Sequence, residues 1–389
     1  MSPSPSPSAP SQSGTLSAPK PVPLFELATQ WQLIRHEVEA AVKEVFDSQQ
    51  FTSGATSGNF VGRFEENLGK TLNAHVIGLS SGTDAILAAL MALGIGQGSD
   101  VITTPFTFFA TSGCIVRAGA RPVFVDIDPD TYLIDLKAVE AAVTPKTKAI
   151  VPVHLYGQML DTAALASIAC KHDLAVVEDA AQCIGAKDPH GKQIAENARC
   201  ACLSFYPTKN LGAAGDAGAL VTRDAALAER FKQTRQHGET TRYHHAFVGG
   251  NFRMDAIQAA VLNVKLKWLD QWNNRRRAIA AYYTSRFAGS AVKAPKELPG
   301  VHHVYHQYVV RTPKRDALRD YMAKNGVGCN IFYPMPLHMQ ACFADLGYKQ
   351  GAFPVTERAC EEVLALPVFP ELSDAQIERV ADVVLAFYK

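Results

Sequence analysis

The sequence has no surplus of charge of either sign: 38 basic and 37 acidic side chains in 389 residues leave a net charge near +1. No broad field is available to draw in nucleic acid or an anionic membrane surface, so neither is expected as a partner, and any phosphate must be held by local geometry. Long apolar runs are also missing; none reaches the ~18 residues that a membrane helix requires. Cysteine is scattered, eight residues with Cys200-x-Cys202 as the one close pair. With no CxxC matched to a second ligand pair, no metal site is expected. The N-terminus has neither the basic start nor the apolar run of a secretory signal, so the thiols read as reduced core residues of a cytoplasmic protein.

What is present divides along the chain. Residues 1–20 are Ser, Pro and Ala with almost no large apolar side chains, a composition expected to stay disordered. Residues 25–48 and 60–72 carry apolar residues at helical spacing, with a small, polar loop from Phe51 to Gly58 between them. Short β-type runs follow at 75–79, 101–104, 123–126, 149–153, 175–177, 202–205 and 219–222, several separated by alanine-rich helical stretches such as 85–93 and 162–172. Strands alternating with helices predict an α/β fold with a largely parallel sheet covered on both faces. A long helix is expected over 254–287, and from about Val301 the order reads strand, helix, strand, then two helices. The division drawn is 21–270 for an N-terminal segment and large domain, and 271–389 for a connecting helix and a smaller α+β domain.

Three features fall at the ends of predicted strands, where open α/β sheets bind ligands. Ser80-Ser-Gly-Thr-Asp opens an apolar helix, and free N–H groups there suit an anion; alone, it is an ordinary serine-capped helix start. Glu178-Asp-Ala-Ala-Gln ends a buried strand with a carboxylate that needs a cation or a surface setting. Ser204-Phe-Tyr-Pro-Thr-Lys-Asn-Leu-Gly places Lys209 where burial can lower its pKa and free its amine as a nucleophile, although most single lysines are solvated. Together they are a phosphate cradle, a partner for a pyridinium and an amine that captures an aldehyde, the three parts that pyridoxal 5'-phosphate (PLP) needs.

These segments, with Pro105-Phe-Thr-Phe-Phe-Ala-Thr, Val153-His-Leu-Tyr-Gly-Gln and Gly250-Asn-Phe-Arg-Met-Asp-Ala-Ile-Gln-Ala-Ala, resemble in order and spacing the DegT/DnrJ/EryC1/StrS sugar aminotransferases. The resemblance runs from about Val22 to the C-terminus. It implies fold type I, the aspartate-aminotransferase-like fold, with a mostly parallel seven-stranded sheet and a smaller C-terminal domain. It also implies that Lys209 holds PLP as a Schiff base and moves protons, while Asp179 pairs with the pyridinium nitrogen. Gln182 would meet the ring near its 3-hydroxyl, Phe108 would stack on it, and Gly82, Thr83 and Ser204 would hold its phosphate. Asn251 would serve the neighbouring subunit's site in a homodimer. Tyr333, His338 and Arg242 are substrate-contact candidates by the same resemblance. The implied reaction passes an amino group from L-glutamate, by way of pyridoxamine phosphate, to C3 or C4 of a nucleotide-linked keto sugar.

A dehydratase branch with His in place of the lysine is disfavoured by Lys209, and a non-catalytic regulatory protein has no need of it. One departure is Gly215-Asp-Ala-Gly where Gly-Asp-Gly-Gly is usual; Ala217 suits a backbone without positive φ. His154 is expected in the core, and His237, His244 and His245 in a polar loop.

Overall fold

The computed structural model describes residues 21–52 and 60–389. The Ser/Pro tail and most of the loop between the first two helices lie outside the described residues. The chain opens with α1 (Ala28–Ser48) and α2 (Phe60–Leu72) and then builds one seven-stranded sheet. Its strands are β1 (His75–Leu79), β2 (Asp100–Thr103), β3 (Arg121–Phe124), β4 (Thr147–Ile150), β5 (Ala175–Asp179), β6 (Cys200–Ser204) and β7 (Gly218–Thr222). Between and after them come α3 (Gly82–Ala92), α4 (Ala110–Arg117), α5 (Leu136–Ala141), α6 (Thr162–Lys171) and α7 (Ala225–Arg235).

The strand order is β1-β7-β6-β5-β4-β2-β3. All pairs are parallel except those of β7, which runs antiparallel to both neighbours. Side chains alternate across the sheet as the pleat demands. On β6, Cys200 and Cys202 enter the core against α3, α4 and α7, while Ala201 and Leu203 enter the opposite one with α2. The close cysteine pair is thus two free thiols on one buried face. Both faces are covered, which is why these strands read as continuous apolar runs.

The helix expected over 254–287 is two, α8 (Ala256–Leu266) and α9 (Leu269–Phe287). The break marks a change of partner. Ala259, Val261 and Leu262 of α8 pack with residues of α1, α2 and the sheet, whereas Ile279, Tyr283 and Phe287 of α9 enter a second core with Leu318, Val380 and Val384. A short hairpin, β8 (Glu239–Thr241) with β9 (His244–His245), stands before α8.

The C-terminal order also differs from the expectation. After β10 (Tyr308–Arg311) come α10 (Arg315–Lys324) and α11 (Pro354–Glu362), then β11 (Val363–Leu366), antiparallel to β10, and finally α12 (Asp374–Ala386). The apolar stretch Ile331, Phe332, Tyr333 forms no earlier strand: one bridge joins Asn330 to Ala365 before Pro334 and Pro336 remove the next donors.

Candidate active site

The motif residues meet because β1, β6 and β5 finish, and β7 starts, within two residues of one level. Leu79 of β1 pairs with Gly218 of β7, Gly218 with Ser204 of β6, and Cys202 with Asp179 of β5. Past the end of β1, Ser81 caps α3 by accepting from Asp84 N at 3.0 Å. The first N–H groups of a helix have no intrahelical acceptor, so those of Gly82 and Thr83 are left for an anion. Ser204 faces them closely: a Cβ on Gly82 would sit 2.6 Å from Ser204 Cβ. That approach is closed to any other residue.

The loop after β6 is tied at several points. Lys209 N donates to Tyr206 O (2.8 Å), and Ala213 N donates to Phe205 O (2.7 Å). At Gly212 an added Cβ would collide with Pro207 O. Asn210 fixes the loop to the rest of the molecule, donating to Asn273 Oδ1 (2.7 Å) and Val304 O (3.1 Å) and facing His306 Nδ1 at 3.2 Å. Lys209 itself is half-buried, and desolvation pushes its amine down to about 8, against the pull of Asp179 and Cys183. At neutral pH a useful fraction is therefore the free amine. Ala217 does not adopt positive φ and is buried, so its methyl is accommodated beside the loop.

Asp179 is 5% exposed. Burial raises its pKa, opposed by a 2.7 Å bond from Thr111 Oγ1, a 3.2 Å bond from Ala181 N, and the charges of Lys209 and His154. Its neighbour Glu178 lies on the other face of β5 and does different work: it accepts from Ala195 N (2.7 Å) and sits 3.5 Å from His154 Nε2. His154 is in the core, as expected. Gln182 is held at both ends, its Oε1 by Tyr156 N (2.7 Å) and its Nε2 by donation to Tyr333 Oη (3.2 Å). Phe108 is 59% exposed, and its carbonyl lies 3.2 Å from Thr111 Oγ1, the hydroxyl that also reaches Asp179.

These residues fit PLP. The buried carboxylate wants a hydrogen-bonding cation, the half-buried amine is poised as a nucleophile, and the glycine-tight helix start suits a phosphate. Tyr333 joins this cluster through Gln182. His338 does not: it is 2% exposed, with Nε2 3.1 Å from Glu357 Oε1 and its ring against Phe353. It makes no hydrogen bond to the cluster among the described residues. Arg242 is exposed on the hairpin, its guanidinium over Tyr243. Asn251 is exposed beside Gln236, and neither side chain hydrogen-bonds to the cluster among the described residues. Thr111, Tyr156, Asn210 and Asn273 belong to the site's frame and were not singled out from sequence.

Residues 32–385 match the DegT/DnrJ/EryC1/StrS aminotransferase family, and the chain belongs to it. It is 48% identical over 372 residues to the pleiotropic regulatory protein of Geobacillus stearothermophilus, covering 95% of this chain and 99% of that one. It is 40% identical over 372 residues to the UDP-N-acetyl-3-dehydro-alpha-D-glucosamine 3-aminotransferase of Acidithiobacillus ferrooxidans, covering 93% and 97%. Among solved structures it superposes on S. venezuelae DesV in complex with a ketimine intermediate, with a TM-score of 0.92, 39% identity and coverage of 95% and 99%. The sheet is that of fold type I, as the resemblance implied.

Proposed function

We propose that this chain is a PLP-dependent aminotransferase that moves an amino group from an amino acid, L-glutamate, to the keto carbon, C3 or C4, of a nucleotide-linked sugar. The observation that carries it is the meeting of Lys209, Asp179, Gln182 and the start of α3 at one edge of the sheet. The relatives that act on 3-keto sugar nucleotides support the substrate class.

When bound, PLP supplies an electron sink for the carbon that gives up or gains the amino group. Lys209 would hold the cofactor through its Nζ, and the same amine would be the group that moves a proton at the reacting carbon. Asp179 keeps the ring nitrogen protonated. Gln182, locked between Tyr156 and Tyr333, would meet the ring near its hydroxyl. The backbone N–H groups of Gly82 and Thr83 and the hydroxyl of Ser204 hold the phosphate, and Phe108 packs on the ring.

A homodimer belongs to this reading, with Asn251 of each subunit completing the other's site and Arg242 reaching toward substrate. Exposed Leu33 (73%), Tyr243 (78%) and Val248 (86%) support a surface that a second copy covers. A cytoplasmic setting agrees with the absence, among the described residues, of a helix long and apolar enough to cross a membrane. The name of the Geobacillus relative raises a regulatory reading; Lys209 and Asp179, costly to bury without chemistry, favour turnover. The test is the absorbance of the purified protein with PLP, before and after L-glutamate. A band near ~420 nm that gives way to a shorter-wavelength band supports the reading, and keto-sugar nucleotides should then restore it. A bound cofactor that ignores every amino donor would leave the regulatory reading standing.

A further inference from the structure

The charge state of Asp179 depends on a feature outside the cofactor-binding set. Thr111, in the first turn of α4, lies 2.7 Å from Asp179 Oδ2, and Thr107 Oγ1 lies 3.0 Å behind it. Both threonines are buried, at 0% and 2% exposure, so no water competes for these bonds. The single hydroxyl hydrogen of Thr111 has two acceptors in reach, Asp179 Oδ2 and Phe108 O at 3.2 Å. The carboxylate is closer and charged, and takes it. The oxygen of Thr111 is then an acceptor toward Thr107, which must be the donor. The bonds run one way, Thr107 to Thr111 to Asp179, and each polarises the next. The second carboxylate oxygen has only the longer bond from Ala181 N, 3.2 Å.

We propose that Thr111, backed by Thr107, is a positioning residue that keeps Asp179 ionised against the cofactor's ring nitrogen and thereby sets the acidity of the bound cofactor. The inference rests on the reading of Asp179 and Lys209 given above. Without the Thr111 hydroxyl, Asp179 keeps its burial and loses its shortest donor. The proton shared between the ring nitrogen and Asp179 then moves toward Asp179, while Thr107 loses its acceptor. A ring with less positive charge lets the Schiff-base nitrogen at Lys209 hold its own proton to higher pH. Lys209, His154, Tyr333, Cys114, Cys183 and Cys202 are the titratable groups that act electrostatically on Asp179 or respond to it. None of them hydrogen-bonds to Thr111, so a comparison of variants at this position reads the hydroxyl alone.

The test uses the PLP-loaded enzyme and three substitutions: Thr111→Val, which keeps the shape and removes the hydroxyl, Thr111→Ser, which keeps the hydroxyl, and Thr107→Val. The pH at which the cofactor band changes should rise by about one unit in Thr111→Val, a tenfold change in proton affinity. The kcat of the glutamate half-reaction should fall about tenfold with little change in KM. Thr111→Ser should titrate like wild type, and Thr107→Val should shift in the same direction by less. A Thr111→Val enzyme that titrates at the wild-type pH overturns the proposal, as does a Thr111→Ser enzyme shifted equally, which would mark a packing effect. If Thr111→Val does not fold, an unshifted Thr107→Val enzyme overturns it. A wild-type protein that never acquires the cofactor band would instead sink the underlying reading, and this inference with it.

Discussion

Gly82→Ala asks whether the close approach of α3 to β6 is what holds the phosphate. In the interior of a helix, alanine is better than glycine by about 0.5–1 kcal/mol; at Gly82, the first residue of α3, that gain is an upper bound on what propensity offers. Geometry opposes the change. The new Cβ would lie 2.6 Å from Ser204 Cβ and 3.2 Å from its Cα. Ordinary carbon contacts begin near 3.5 Å, so the helix start and Ser204 must part by about 1 Å. Ser204 cannot retreat freely, because its backbone is paired with Gly218. Overpacking of this kind costs about 1–3 kcal/mol, which exceeds the propensity gain. The larger effect is on the ligand. A displacement of 1 Å breaks at least one charge-assisted bond to the phosphate, about 1.5–3 kcal/mol, or roughly 10- to 150-fold in Kd. The assay is titration of apoprotein with PLP and, in parallel, with pyridoxal, which has the aldehyde and ring but no phosphate. Gly82→Ala should weaken PLP at least tenfold and pyridoxal hardly at all. Equal losses for both ligands, or none for PLP, would refute the assignment of the phosphate to this corner.

Capture of PLP by the apoprotein should follow the free amine of Lys209. With that amine pushed down to about 8 by burial, the capture rate should rise about tenfold per pH unit below 8 and level off above it. A rate still climbing past pH 9 would mean a solvated lysine, and Lys209→Ala should remove the step altogether. Glu357→Ala should act on stability and spare chemistry. It removes the acceptor of Gly351 N, Phe353 N and His338 Nε2, so urea unfolding should show a loss of about 1–3 kcal/mol while kcat of the folded enzyme stays within about twofold. His338→Gln should behave alike; a selective rise in KM for the sugar would show that His338 does reach substrate.

Much of the site was legible because its parts are local. A strand that ends in Asp179, a loop that carries Lys209 and a serine cap before Gly82 each occupy fewer than about ten residues, the range over which periodicity and turn chemistry act. What escaped was long-range. The Asn210 anchor reaches Asn273, 63 positions away, and Thr111 reaches Asp179 across 68. No local pattern announces such pairs. The join of α8 to α9 was missed for a related reason: both halves keep helical spacing, and only the change of packing partner ends one helix and starts the next. The partner of His338 was hidden in the same way, since Glu357 lies 19 positions further on.

The antiparallel strand β7 explains why so neutral a protein can hold an anionic cofactor. Because β7 runs against both neighbours, its first residue, Gly218, lies in the same row as the last residues of β1 and β6. That row needs a glycine, since any Cβ there would collide with the backbone of Ser81. The missing side chain brings the start of α3 down onto the sheet beside Ser204, while Asp179 ends the next strand. On the proposed reading, backbone dipoles would meet the phosphate at this row, and the carboxylate of the neighbouring strand would meet the ring nitrogen. With a net charge near +1, the surface contributes little; on that reading the strand ends would supply the field, in the right sign at each end of the cofactor.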